Sequence, residues 1–134
     1  MNLEIVTPDG VRFAGEATAV LVNTAMGQIQ VLPEHEPLIS ALEVGMAKVD
    51  TPSGSHIFAL NRGYIEVLEN TVEVVTFTAE SPDAIDTERA QHGIDEATTD
   101  LESIDPGTQA EAYVQARLRI LRNETRLEVA KHKS

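Results

Sequence analysis

The hydrophobic pattern changes period once, at Ser81-Pro82, and that switch divides the chain into two kinds of structure. From Asn2 to Ala79 the apolar residues fall in short alternating runs: LEIV, VRF, TAVLV, IQVL, GMAKV, HIFAL, YIEVL and TVEVVTF. Turn clusters such as PDG and PSG separate them. A period of two places alternate side chains on one face of a strand. Punctuation this close leaves no room for the helices that parallel βαβ units need. The expectation for residues 1–82 is therefore an antiparallel β-sandwich.

Beyond Ser81-Pro82, Ala90, Ile94, Ala97, Leu101 and Ile104 recur at steps of three and four, which is one face of a helix. Ser81 and Pro82 are expected to open that helix as cap and first-turn residue, and Asp105-Pro106-Gly107 to end it. A second helix is expected from about Gln109 to Lys131. It carries two apolar arcs, one of Tyr113, Ala116, Ile120, Leu127 and Ala130, the other of Val114, Leu118, Leu121 and Val129. Two arcs call for two packing partners. Residues 83–134 thus read as an antiparallel α-helical hairpin, with one arc left to face the sandwich or another subunit.

Charge follows the same division. Residues 85–105 carry seven acids and one base, whereas residues 106–134 carry three acids and six bases. Antiparallel helices of this kind attract each other, yet exposed ion pairs contribute only about 0–1 kcal/mol each. The hairpin is accordingly expected to be marginally held.

A net charge of −12 repels nucleic acid and anionic lipid over most of the surface. No apolar run approaches the roughly 20 residues of a membrane span, so direct membrane insertion is not expected. Met1 leads straight into NLEIVT without a basic presequence, so the chain is read as unprocessed. The absence of Cys excludes disulfides and thiolate metal sites. His35, His56, His92 and His132 are scattered with no second ligand at metal spacing, and no nucleophile-base arrangement or phosphate loop is present. No metal or resident cofactor is expected. The residues favour a binding or regulatory module over an enzyme.

The stretch GQIQVLPEHEPLISALEVGM, Gly27 to Met46, resembles a segment of the epsilon subunits of F-type ATP synthases, G-E-[LI]-G-[IV]-x-P-x-H-x-P-L followed by a short strand and a glycine. Gly27, Pro33, His35, Pro37 and Leu38 match. TPDG near the start, Asn61 to Val67 (similar to SGG[FI]LEV) and IDTERA extend the resemblance over nearly the whole chain. It departs at Gln28, Gln30 and Glu34, where the family has Glu, Gly, and Gly or Asn.

The resemblance implies a β-sandwich followed by a helical hairpin, in agreement with the periodicity. It also implies a non-catalytic rotor subunit that couples proton or sodium flow to ATP synthesis while its hairpin restrains ATP hydrolysis. The implied partners are the gamma subunit, the c-ring and the alpha/beta catalytic hexamer, at the cytoplasmic face of a bacterial plasma membrane. Gln28, Gln30, Pro33, His35 and Pro37 would dock on gamma and the c-ring, where proline-fixed dihedrals suit a loop held under torque.

Ile85-Asp86-Thr87-Glu88-Arg89-Ala90 is similar to the I/L-D-x-x-R-A motif with which some bacterial epsilon subunits bind a regulatory ATP. RNETRLEV is similar to the R-x-x-x-R-L-x-V segment that meets the phosphates. The implied ATP set is Glu80, Ile85, Asp86, Arg89, Ala90, Arg122 and Arg126, while Glu96 takes the place of one further base. The plainer alternatives are an intrahelical Asp86–Arg89 ion pair and a purely structural stripe of Arg119, Arg122 and Arg126. At the level of the whole chain the alternative is a free-standing ATP-sensing module with no rotary partner.

Overall fold

The computed structural model describes Met1–Ser134. Three Thr-x-x-Gly tetrads shape its first half, Thr7-Pro8-Asp9-Gly10, Thr24-Ala25-Met26-Gly27 and Thr51-Pro52-Ser53-Gly54. In each, the threonine hydroxyl donates to the glycine carbonyl, at 3.2, 2.7 and 2.8 Å, and accepts from the N–H two residues after the threonine, at 3.2 Å. The glycines stand at φ of 123°, 108° and 137°, where a side chain would be strained. Each tetrad closes a two-residue hairpin.

The strands so joined are β1 (Asn2–Thr7) with β2 (Gly10–Glu16), β3 (Ala19–Thr24) with β4 (Gly27–Val31), and β6 (Gly45–Thr51) with β7 (Gly54–Leu60). β5 (Leu38–Leu42), β8 (Gly63–Leu68), β9 (Thr71–Thr76) and the short β10 (Ala79–Glu80) complete the set. One half runs β10-β7-β6-β3 with β4 beside β3, the other β5-β8-β9-β1-β2. The pair Thr24–Leu42 joins them, flanked by Ala25 N–H to Ala41 O and Glu43 N–H to Asn23 O, both 3.0 Å. Leu3, Ile5, Val20, Val22, Val31, Val49, Ile65, Val67, Val72 and Val74 are fully buried in one core.

Two expectations are corrected. The sheet is not wholly antiparallel: β1 and β9 run parallel, Leu3 opposite Val72 and Ile5 opposite Val74. A parallel pair needs a long intervening segment, and here β2 through β8 lie between the partners. Nor does Ser81-Pro82 open the first long helix. Pro82–Ala84 forms a single 3-10 turn, and α1 runs Thr87–Glu102 with Asp86 as its cap. A carboxylate accepting from the N–H three residues on is a stronger cap than Ser81, whose side chain makes no such bond. The strand β5 adds LISAL to the runs read as extended.

α2 (Ala110–Ala130) returns antiparallel along α1 and packs on β6 and β7. Its C-terminal Val129 and Ala130 bury with Ile85 and Ala59, edged by Met46 and Ile57. This is the second packing partner that the two arcs required, although Val114 and Leu121 of the second arc stay exposed. No helix is long and apolar enough to cross a membrane.

Candidate functional site

Small residues let the two helices approach closely. Ala90, Gly93 and Ala97 of α1 are buried, as are Ala116 and Asn123 of α2. A Cβ at Gly93 would lie 2.6 Å from the Asn123 amide nitrogen, so nothing larger than glycine fits there without movement. Beside this contact opens a cleft of about 470 Å³, within the usual range of ligand pockets, roughly 300–1,000 Å³.

Of the residues expected to meet ATP, Glu80, Asp86, Arg89, Ala90, Arg122 and Arg126 line this one cleft. They come from β10, the start of α1 and the middle of α2. Ile85 does not: it is buried on the other side of the chain against Ala59, Val129 and Ala130, where it fastens the hairpin to the sandwich. Asp86 and Arg89 form no ion pair. The Asp86 carboxylate accepts from the Arg89 backbone N–H at 3.0 Å, which leaves the Arg89 guanidinium to the cleft.

Arg126 is held from two sides. Its Nε donates to Glu80 Oε1 at 2.7 Å and its Nη1 to Asn123 Oδ1 at 2.9 Å. Asn123 in turn donates to the Arg119 carbonyl at 2.9 Å, so a buried amide fixes the lie of the cleft floor. Arg119 donates to Glu96 at 2.7 Å, and His92 meets the second oxygen of the same carboxylate at 2.7 Å. The Arg119 bond, with His92 beside it, holds the Glu96 carboxyl below its ordinary value.

Arg89 and Arg122 take part in none of the ion pairs. Arg122 binds its proton less firmly than an ordinary arginine, first through burial and then through the like charges of Arg126, Arg119 and Arg62. A half-buried cation amid other cations calls for an anion. Asn123 was not singled out along the sequence, because its packing against Gly93 crosses from α2 to α1, whereas the His92–Glu96 pair is a four-residue spacing within α1. No cluster of three or more metal-binding side chains exists.

The proposed docking segment lies elsewhere, on β4 and the loop after it. Gln28, Gln30, Pro33 and Pro37 are exposed, and His35 is half-buried, not fully exposed, with its Nδ1 2.7 Å from the Glu36 carbonyl. His35 N–H donates to Leu32 O at 3.1 Å, closing a turn with Pro33 and Glu34 at its centre. Exposed Leu32 and Ile39 belong to the same segment, and periodicity did not single them out.

Residues 1–82 match the family described as ATP synthase, Delta/Epsilon chain, beta-sandwich domain. The ATP synthase epsilon chain of Shouchella clausii is 35% identical over 99% of this chain and 96% of its own. That of Levilactobacillus brevis is 30% identical over 98% and 95%. The fold is shared with a chain in the Euglena gracilis mitochondrial ATP synthase, at TM-score 0.81 and 24% identity over 97% of this chain and 80% of that one. It is shared less closely with one in the central stalk and c-ring of the Tetrahymena thermophila enzyme, at TM-score 0.60 and 13% identity over 93% and 96%. With the sandwich matched throughout and the hairpin carried along in relatives that run the length of the chain, this protein belongs to the ATP synthase epsilon chain family.

Proposed function

We propose that this chain is a non-catalytic central-stalk subunit of a bacterial F-type ATP synthase whose hairpin restrains ATP hydrolysis and is held compact by ATP. The sandwich would dock on gamma and the c-ring through the exposed segment from Gln28 to Pro37, at the cytoplasmic face of the plasma membrane, and the hairpin would reach the catalytic hexamer when released. Bacterial relatives named as epsilon chains support the assembly.

The observation that carries the ATP reading is the pair of unpartnered guanidiniums, Arg89 from α1 and Arg122 from α2, facing one cleft. A chain of charge −12 repels ATP at a distance, so only guanidiniums converging locally supply the charge-assisted bonds that a triphosphate needs. Helices drawn apart could not supply them together. ATP therefore has a differential affinity for the compact form, and that difference shifts the population. Arg126, already neutralised by Glu80, joins the phosphates only if that carboxylate yields it to them.

Calorimetry on the isolated chain tests this. Wild type should bind ATP in the micromolar to millimolar range, and Arg122→Ala should weaken binding at least tenfold while leaving the circular dichroism unchanged. No heat at millimolar ATP refutes the sensor. The assembly is tested apart from it, since co-expressed gamma should co-purify with the chain.

A further inference from the structure

The turn between β7 and β8 carries a residue that its backbone does not favour. Arg62 stands at φ 53°, in the left-handed region that glycine enters freely and other residues enter at a cost. The turn is also firmly placed. Phe77 N–H donates to the carbonyls of Asn61 and Arg62 at 3.2 and 3.3 Å, and Asn61 N–H donates to Thr78 O at 3.2 Å. The next residue, Gly63, packs so closely on the Val75 carbonyl that no Cβ fits. The strained position is thus imposed by the fold, and the side chain placed on it is a large cation.

That cation lies on the path of α2. Val129 and Ala130 rest over Ile57 and Ala59 of β7, and one turn back Arg126 grips Glu80, whose strand pairs with Ala59 and Leu60. A further turn back, Leu121 and Thr125 flank Arg122 and share a surface pocket with Val44 and Gly45, and Gly45 pairs with Leu60, the residue that leads into Asn61 and Arg62. The Arg62 charge is felt at Arg122, in agreement with that path. Arg62 is exposed and takes part in no ion pair.

We propose that Arg62 is a phosphate-binding residue contributed by the sandwich, so that a polyphosphate in the cleft ties the hairpin to the sandwich as well as one helix to the other. This rests on the ATP reading above. Arg89 and Arg122 line the cleft and Arg62 stands outside it, so the third guanidinium meets the anion where a polyphosphate extends from the cleft toward the turn after β7. Without it, Arg62 and Arg122 repel across the docking interface and favour release of α2. With it, the repulsion becomes a bridge. The same residue therefore acts in opposite directions in the empty and filled states, which no purely structural role would do.

The test compares wild type with Arg62→Gly and Arg62→Lys in the full chain, by calorimetry with ATP at 50 and 200 mM salt and by thermal melting with and without ATP. Glycine suits φ 53°, so Arg62→Gly should fold and, without ATP, melt at or above the wild-type temperature. It should bind ATP three- to tenfold more weakly, depend less on salt and gain less melting temperature from ATP. Arg62→Lys should recover part of the affinity. Equal ATP binding by Arg62→Gly and wild type overturns this inference and leaves the cleft standing. Absence of binding in wild type overturns both.

Discussion

At the scale of single residues, the loop after β4 shows where this chain departs from the most comfortable choice. Pro33 sets the first φ of the turn, but Glu34 follows at φ 66°, a position that favours glycine. The left-handed region costs a non-glycine residue roughly 1–2 kcal/mol, against roughly 0.5–1 kcal/mol of extra chain entropy lost by glycine. Glu34→Gly should therefore stabilise the sandwich by about 0.5–1 kcal/mol, seen as a higher urea midpoint at unchanged slope. The Glu34 N–H bond to Asn70 Oδ1, at 3.0 Å, involves only backbone on the Glu34 side and survives the change. A lower midpoint would mean that the glutamate side chain supplies something beyond its backbone. The prolines of this segment were legible in the sequence because each fixes a dihedral locally, and the glycine because it enters positive φ without strain. The strain at Glu34 and Arg62 showed only as departures from Gly or Asn in the resembling segments, because nothing in a Glu or Arg itself marks a positive φ.

At the scale of elements, the hairpin is held by few polar contacts, and one of them is sensitive to acid. Glu96 receives Arg119 across the helices and His92 along its own, and its carboxyl is held below the ordinary value of 4.5. A depressed carboxyl stabilises the fold above its unfolded value and loses that contribution as pH falls through the folded one. The loss should thus begin below about pH 4.5. Because Glu96 is on the surface, the change should be small and reduced by salt. Protease susceptibility of the Ser103–Gln109 connection, followed from pH 6 to 3, should rise in this window and rise less steeply in Glu96→Gln. An identical profile in the variant would show that the clamp contributes nothing. The existence of both helices and the convergence of Arg122 with Arg126 could be read from steps of three and four. The start of α1 was misplaced because Ser81-Pro82 and Asp86 both have the chemistry of a cap, and only the structure shows which carboxyl or hydroxyl reaches an N–H. The parallel β1–β9 pair left no trace in any local pattern, since strand direction depends on how distant hairpins meet.

At the scale of the whole molecule, apolar packing is divided unequally between the two halves. The 17 buried residues of the main core all lie between Met1 and Ala79, whereas the cluster joining hairpin to sandwich has four, Ala59, Ile85, Val129 and Ala130. Two of those four are alanines, with little side chain to bury. The sandwich thus closes its core without the hairpin, while the hairpin is tied to it by a small apolar contact and the Arg126–Glu80 bond. That inequality is what a detachable element needs, because release exposes little apolar surface and leaves the larger core intact. Ending the chain after Pro82 should therefore yield a soluble domain with native strand dispersion, melting within several degrees of the full chain and still forming a complex with gamma. It should no longer gain melting temperature from ATP, since the cleft loses α1 and α2 together. Replacing Val129 with Ala in the full chain should act at the same seam and free the hairpin without unfolding the strands, raising amide exchange in α2 while β8 and β9 stay protected. Loss of protection in β8 and β9 to the same extent as in α2 would mean that the two halves unfold as one unit, and that release of the hairpin alone is not available to this chain.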